Sequence, residues 1–120
     1  MNPPVPVEIA VRSRSRVLRV AFDDGSAFEM PFEYLRVHSP SAEVKGHGPG
    51  QEVLVTGKEA VGVDRVEPVG QYAIRIVFDD GHSTGLYTWK YLHELGRDRD
   101  ALMQRYRQRV ADAAGPPGKA

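Results

Sequence analysis

Apolar and polar positions alternate in two stretches that resemble each other. Leu18, Val20 and Phe22 are spaced by Arg19 and Ala21, and Ile74, Ile76 and Phe78 by Arg75 and Val77. A period of two predicts a half-buried strand in each place. Both strands run into Asp-Asp-Gly, at 23–25 and 79–81. Glycine adopts positive φ without a Cβ clash and aspartate tolerates the left-handed region, so each motif predicts a tight hairpin turn. Phe28 and Met30 should continue the buried face in the first half, and Thr84 and Leu86 in the second. With one inserted residue the likeness resumes, so that Phe32-Glu33-Tyr34-Leu35 matches Trp89-Lys90-Tyr91-Leu92.

A short helix is expected after each hairpin. Pro31 suits a helix start because its missing N–H costs nothing there, and Thr88 is placed as an N-cap. Leu102, Met103, Tyr106 and Val110 recur at three- and four-residue spacing, which predicts a further helix over 98–113. Glu8–Val11 and Val61–Val69 alternate as additional strands, and Gln51–Thr56 suits a short strand or turn. Between the two halves, 38–50 is rich in Ser, Pro and Gly and reads as a long loop. The expected fold is α+β: a two-layer sandwich of antiparallel β-hairpins and helices, with an internal hairpin–helix repeat. Residues 1–6 are expected to be flexible, 7–96 to form the domain, 97–113 a C-terminal helix and 114–120 a disordered tail.

Composition narrows the chemistry. The chain has 120 residues and no cysteine. Disulfide frameworks, thiolate-bound clusters, zinc ribbons and thiol nucleophiles therefore fall away. Sixteen Lys+Arg balance 16 Asp+Glu, so the molecule as a whole is no generic polyanion binder. The balance conceals a segregation. Residues 1–20 hold four Arg against one Glu, and 97–120 hold five Arg and one Lys against three Asp, so the middle is acidic. No signal peptide or apolar run of ~18 residues is present, and the expected compartment is the cytoplasm, with no membrane contact.

Four histidines, His38, His47, His82 and His93, supply the obvious chemistry. None begins a His-x-Asp pair or lies in a His-Glu-x-x-His helix. His38, Glu43, His47 and His82 form the weak candidate set for a metal, imidazole and carboxylate suiting zinc or iron. Gly46-His47-Gly48-Pro49-Gly50 lacks the Gly-Lys-Ser/Thr ending of a phosphate loop, and Pro49 removes one N–H from any cradle. No nucleophile elbow surrounds Ser39 or Ser41. Aromatic residues are not interleaved with basic ones as single-stranded nucleic-acid binding requires.

These residues also carry a resemblance. The ordered motifs are Phe22-Asp23-Asp24-Gly25, Tyr34 to Val44, Gly46-His47-Gly48, Glu67 to Ala73, Phe78 to His82 and Gly85 to Trp89, followed by Tyr91-Leu92. Together they resemble a small bacterial domain family of unknown function, similar to the N-terminal domain of gamma-butyrobetaine hydroxylase and its trimethyllysine relative. The resemblance spans about residues 7 to 96 and implies a two-layer α+β domain. In the hydroxylases a separate C-terminal domain performs the iron and 2-oxoglutarate chemistry through a His-x-Asp pair. No such pair occurs here, so dioxygenase activity is not expected. The resemblance also implies a zinc module, with a Cys-x-Cys-x-x-Cys run and a later histidine. The matching positions are Ser39, Ser41, Val44 and His82, and no cofactor is expected because hydroxyls and an isopropyl group do not replace thiolates on zinc. A further likeness, to a domain on P-loop ATPases that scaffold iron–sulfur clusters in plastids, implies an accessory role.

The resulting expectation is a non-enzymatic accessory domain that binds a protein partner. The candidate contact residues are His38, Ser41, Glu43, His47, His82, Tyr87 and Trp89. The alternative is a metal-linked role in iron handling or iron–sulfur assembly. Nucleic acid is not expected, and a homo-oligomer is compatible with the sequence.

Overall fold

A computed structural model describes residues 3–41, 44 and 54–114. Strands β1 (Pro6–Arg12), β2 (Val17–Phe22) and β3 (Ala27–Pro31) form one antiparallel sheet in that spatial order, followed by helix α1 (Phe32–Val37). Strands β4 (Val63–Val69), β5 (Ala73–Phe78) and β6 (Leu86–Thr88) form a second in the same order. Helices α2 (Trp89–Arg97) and α3 (Arg99–Ala114) follow it. The fold is therefore α+β: the described residues form two three-stranded antiparallel sheets and the three helices named above. No helix among the described residues is long and apolar enough to cross a membrane.

The alternating residues of the two central strands supply one core. Leu18, Val20 and Phe22 on β2 and Ile74, Ile76 and Phe78 on β5 are all buried, together with Met30, Phe32, Leu35, Leu92 and Leu95. Helix α3 adds Met103 and Tyr106 to the same cluster. Both Asp-Asp-Gly motifs turn as expected, with Gly25 at φ 88° and Gly81 at φ 91°. In each turn the second aspartate accepts a backbone N–H two residues on: Ser26 N to Asp24 Oδ1 at 2.9 Å, and His82 N to Asp80 Oδ1 at 3.0 Å. The first aspartates tie each turn to the incoming chain, Asp23 Oδ1 accepting Val5 N and Asp79 Oδ1 accepting Gly62 N.

One expectation is corrected. Thr84 and Leu86 do not continue the buried face of the second sheet. Tyr87 does, lying opposite Ile74 as Met30 lies opposite Leu18, while Thr84 falls in the preceding loop. With Tyr87 opposite Ile74, Leu86 falls opposite Arg75 on the other face, because a one-residue shift moves a strand's side chains to the opposite face. Pro31 is the N-cap rather than a first-turn residue of α1, and Thr88 caps α2 by accepting Tyr91 N at 3.1 Å. Residues 54–56 form no strand, and 51–53 and the tail 115–120 lie outside the described residues.

The helices lock the halves together reciprocally. Tyr34 on α1 donates its hydroxyl to Leu95 O at 2.6 Å, and Tyr91 on α2 donates to His38 O at 2.6 Å. Arg36 on α1 pairs with Asp80 in the second turn, and His93 on α2 meets Asp24 in the first. Close packing follows the same exchange: a Cβ on Gly96 would overlap the Phe28 ring, and one on Gly85 would overlap Ser39 Oγ. Alanine is the better helix former by about 1 kcal/mol, but at Gly96 the overlap outweighs that gain. Gly96→Ala is expected to lower the unfolding free energy by about 1–3 kcal/mol. Phe28→Leu should restore part of the loss in urea titrations, and a stabilised Gly96→Ala protein would contradict the packing.

Candidate functional site

The segment leaving α1 and the loop after the second turn build one buried polar network. Ser39 Oγ lies 2.8 Å from His82 Nε2, and Ser41 Oγ lies 2.8 Å from Thr84 Oγ1. Ser41 N donates to Ser39 Oγ at 3.3 Å, and Val44 N donates to Ser41 O at 3.0 Å. Ser39 is 0% exposed, Ser41 7%, Val44 5% and His82 6%. Gly85 is required beside Ser39 because any side chain there would occupy the hydroxyl's place.

The network continues through the turn. Asp80 Oδ1 holds His82 N, while Asp80 Oδ2 accepts Arg36 Nε at 2.8 Å and meets Lys58 Nζ at 2.6 Å. Burial alone would raise the Asp80 carboxyl. Lys58, the His82 N–H and Arg36 outweigh it and hold the group at about 2. Arg36 Nη1 is buried with no hydrogen-bond partner among the described residues. Tyr87, fully buried, donates to Leu35 O at 2.6 Å. Burial pushes its phenol well above the ordinary range and that of Tyr91 up to about 12. Both therefore act as neutral hydrogen-bond donors at physiological pH.

The four positions where the resemblance implies zinc ligands are thus joined, but by hydrogen bonds. Two hydroxyls, an isopropyl group and an imidazole whose Nε2 faces Ser39 do not make a tetrahedral zinc set. Among the described residues no group of three or more His, Asp or Glu is placed to hold a metal. Of the weak metal candidates, His38 has Nδ1 at 2.9 Å from Tyr34 O and its ring beside the Tyr34 ring. His82 is engaged as above, and Glu43 and His47 lie outside the described residues.

The candidate contact residues divide by burial. Ser41, His82 and Tyr87 are buried, whereas His38 and Trp89 are half-buried. Trp89 Nε1 donates to Gln71 O at 2.7 Å, and Trp89 N donates to Tyr72 O at 3.0 Å. Tyr72, which the sequence did not single out, is 54% exposed. Its ring sits against Gly70, whose φ of 55° turns the chain there. Arg36, Lys58 and Asp80 were also not evident, because Asp80 reads locally as a turn residue. Alignment of the two halves was the available signal, since Arg36 and His93 occupy matching places and each reaches the other half's second turn aspartate.

A second Ser–His–Asp grouping, Ser26, His93 and Asp24, is not a proton relay. His93 Nε2 faces both Asp24 Oδ2 at 3.0 Å and Ser26 Oγ at 3.5 Å, and Ser26 Oγ donates to Asp24 Oδ1 at 2.5 Å. A relay uses the two ring nitrogens separately.

The family model "gamma-butyrobetaine hydroxylase-like, N-terminal" matches residues 9–93. No curated protein matches the chain. A crystal structure of a protein of unknown function of the DUF971 family from Acidithiobacillus ferrooxidans is 44% identical, covering 76% of this chain and 91% of that one at a TM-score of 0.64. Two proteins solved in solution by NMR are 42% and 43% identical with TM-scores of 0.81. They cover 99% and 97% of this chain and 95% and 89% of their own. The match is to the N-terminal domain and not to the catalytic domain of the hydroxylases. This chain belongs to the gamma-butyrobetaine hydroxylase-like N-terminal domain family.

Proposed function

We propose that the chain is a non-enzymatic accessory domain that binds a protein partner through Tyr72 and the adjoining Trp89, with His38 as a further contact. The observation that carries this reading is the division between closed chemistry and open aromatic surface. The polar groups at Ser39, Ser41 and His82 are buried and bonded to one another, which leaves no open place for a reacting substrate among them. Tyr72 stands in solvent instead, on a turn anchored to Trp89 at the start of α2. A rigidly held aromatic side chain with one polar tip is the residue type that most often anchors protein interfaces.

Ser41, His82 and Tyr87 serve in this reading as the layer beneath these contacts. The polar network takes the structural place of a metal, linking the two halves without one. The halves themselves are read as two copies of one hairpin–helix unit. The reciprocal tyrosine bonds, the paired turn aspartates and the β-bulges between Pro6/Glu8 and Val63/Arg65 support that relation.

Affinity purification from a native extract tests the interface. The wild type is expected to retain a protein partner that Tyr72→Ala loses, with the circular dichroism and melting temperature of the variant unchanged. Recovery of only free protein under gentle conditions, or equal retention by Tyr72→Ala, would overturn the reading.

A further inference from the structure

The arginines fall into two classes in the folded protein. Every arginine outside two short segments has a carboxylate partner within 4.0 Å. The exceptions are Arg14 and Arg16 in the β1–β2 turn and Arg105, Arg107 and Arg109 on α3, which have no carboxylate partner among the described residues. All five are exposed. These segments come from the two basic ends of the sequence, and hydrogen bonds through Phe32 and Glu33 link them. Arg16 O accepts Phe32 N at 3.0 Å, and the next residue, Glu33, accepts the Tyr106 hydroxyl at 2.9 Å. On α3, Arg105 and Arg109 share one side of the helix beside that same Tyr106, and Arg107 lies on its other side. Arg16 is also held, its guanidinium donating to Val61 O. Its φ of 61° is a left-handed conformation that a side chain adopts only at a cost.

We propose that this arginine face is a second interaction surface, and that it docks an acidic segment of a partner protein. Guanidinium forks pair carboxylates in bidentate fashion. The face is interrupted by the carboxylates of Glu33 and Asp112, so it forms separate positive points rather than the continuous track that a phosphate backbone follows. Tyr106 is buried, and no exposed aromatic residue of the face offers bases a stacking platform. The surface is independent of the Tyr72 contact.

Fluorescence anisotropy at low ionic strength with a labelled oligoglutamate peptide tests it. Exposed charge pairs are worth a few-fold each, so Arg14→Gln/Arg105→Gln/Arg109→Gln is expected to weaken binding about tenfold. The charge-matched control Arg19→Gln/Arg65→Gln/Arg75→Gln, which removes arginines already paired, should bind as the wild type does. No binding by the wild type, equal losses in the two variants, or tighter binding of duplex DNA than of the peptide would overturn the proposal.

Discussion

Phe78→Ala is expected to lower the unfolding free energy by about 3–5 kcal/mol. The ring is 1% exposed, at the end of β5, opposite Val63 and just before the second Asp-Asp-Gly turn. Removing it opens a cavity in the cluster to which both sheets and helices α1, α2 and α3 contribute. The surroundings are poorly placed to collapse, because Phe78 N is held by His82 O and the adjacent turn by Arg36 and Lys58. Phe22, 3% exposed at the matching place on β2, should give a loss of the same order. Urea titration checks both. A shift in midpoint at constant slope would report stability alone. Near-neutral behaviour of both variants would contradict the single shared core.

Asp80→Asn is expected to cost about 2–3 kcal/mol at neutral pH, because it leaves a largely buried guanidinium without its counter-charge. The Arg36 and Asp80 side chains are 11% and 19% exposed, and one carboxylate oxygen serves both Arg36 and Lys58. Arg36 Nη1 already lacks a partner among the described residues, so loss of the carboxylate charge falls on a guanidinium with little other support. Asp24→Asn at the matching turn should cost much less, since Asp24 and His93 are 38% and 21% exposed.

The pH dependence has a defined sign. Folding holds the Asp80 carboxyl at about 2, below the ordinary value of about 3.9. Between these values the unfolded chain binds the proton and the folded chain does not. The stabilisation is therefore complete above about pH 4 and is lost as pH falls toward about 2. The difference in melting temperature between wild type and Asp80→Asn should narrow across that window. A constant difference down to pH 2 would contradict the pairing.

Strands β2 and β5 were legible because alternation and the Asp-Asp-Gly turns are local signals, and α2 because Thr88 and the following amphipathic run are local too. The face of β6 was not. The length of the loop between Gly81 and Leu86 decides it, and the sequence offers no local mark for where the strand resumes. Nor was the burial of Ser39, Ser41 and His82. Their composition reads as solvated loop, and only pairing across the chain with one another and with Thr84 makes their burial affordable. The resemblance located these positions and suggested the missing thiolates; the hydrogen-bond network that occupies them required the fold. The link between the two basic ends likewise depends on Tyr106 reaching Glu33.

Calorimetric unfolding of the untagged protein, with and without a zinc chelator, bears most directly on whether hydrogen bonds at Ser39, Ser41 and His82 do the linking. The expected result is the same melting temperature in both, with no stoichiometric zinc by elemental analysis of the sample. A bound zinc whose removal lowers the melting temperature would contradict it.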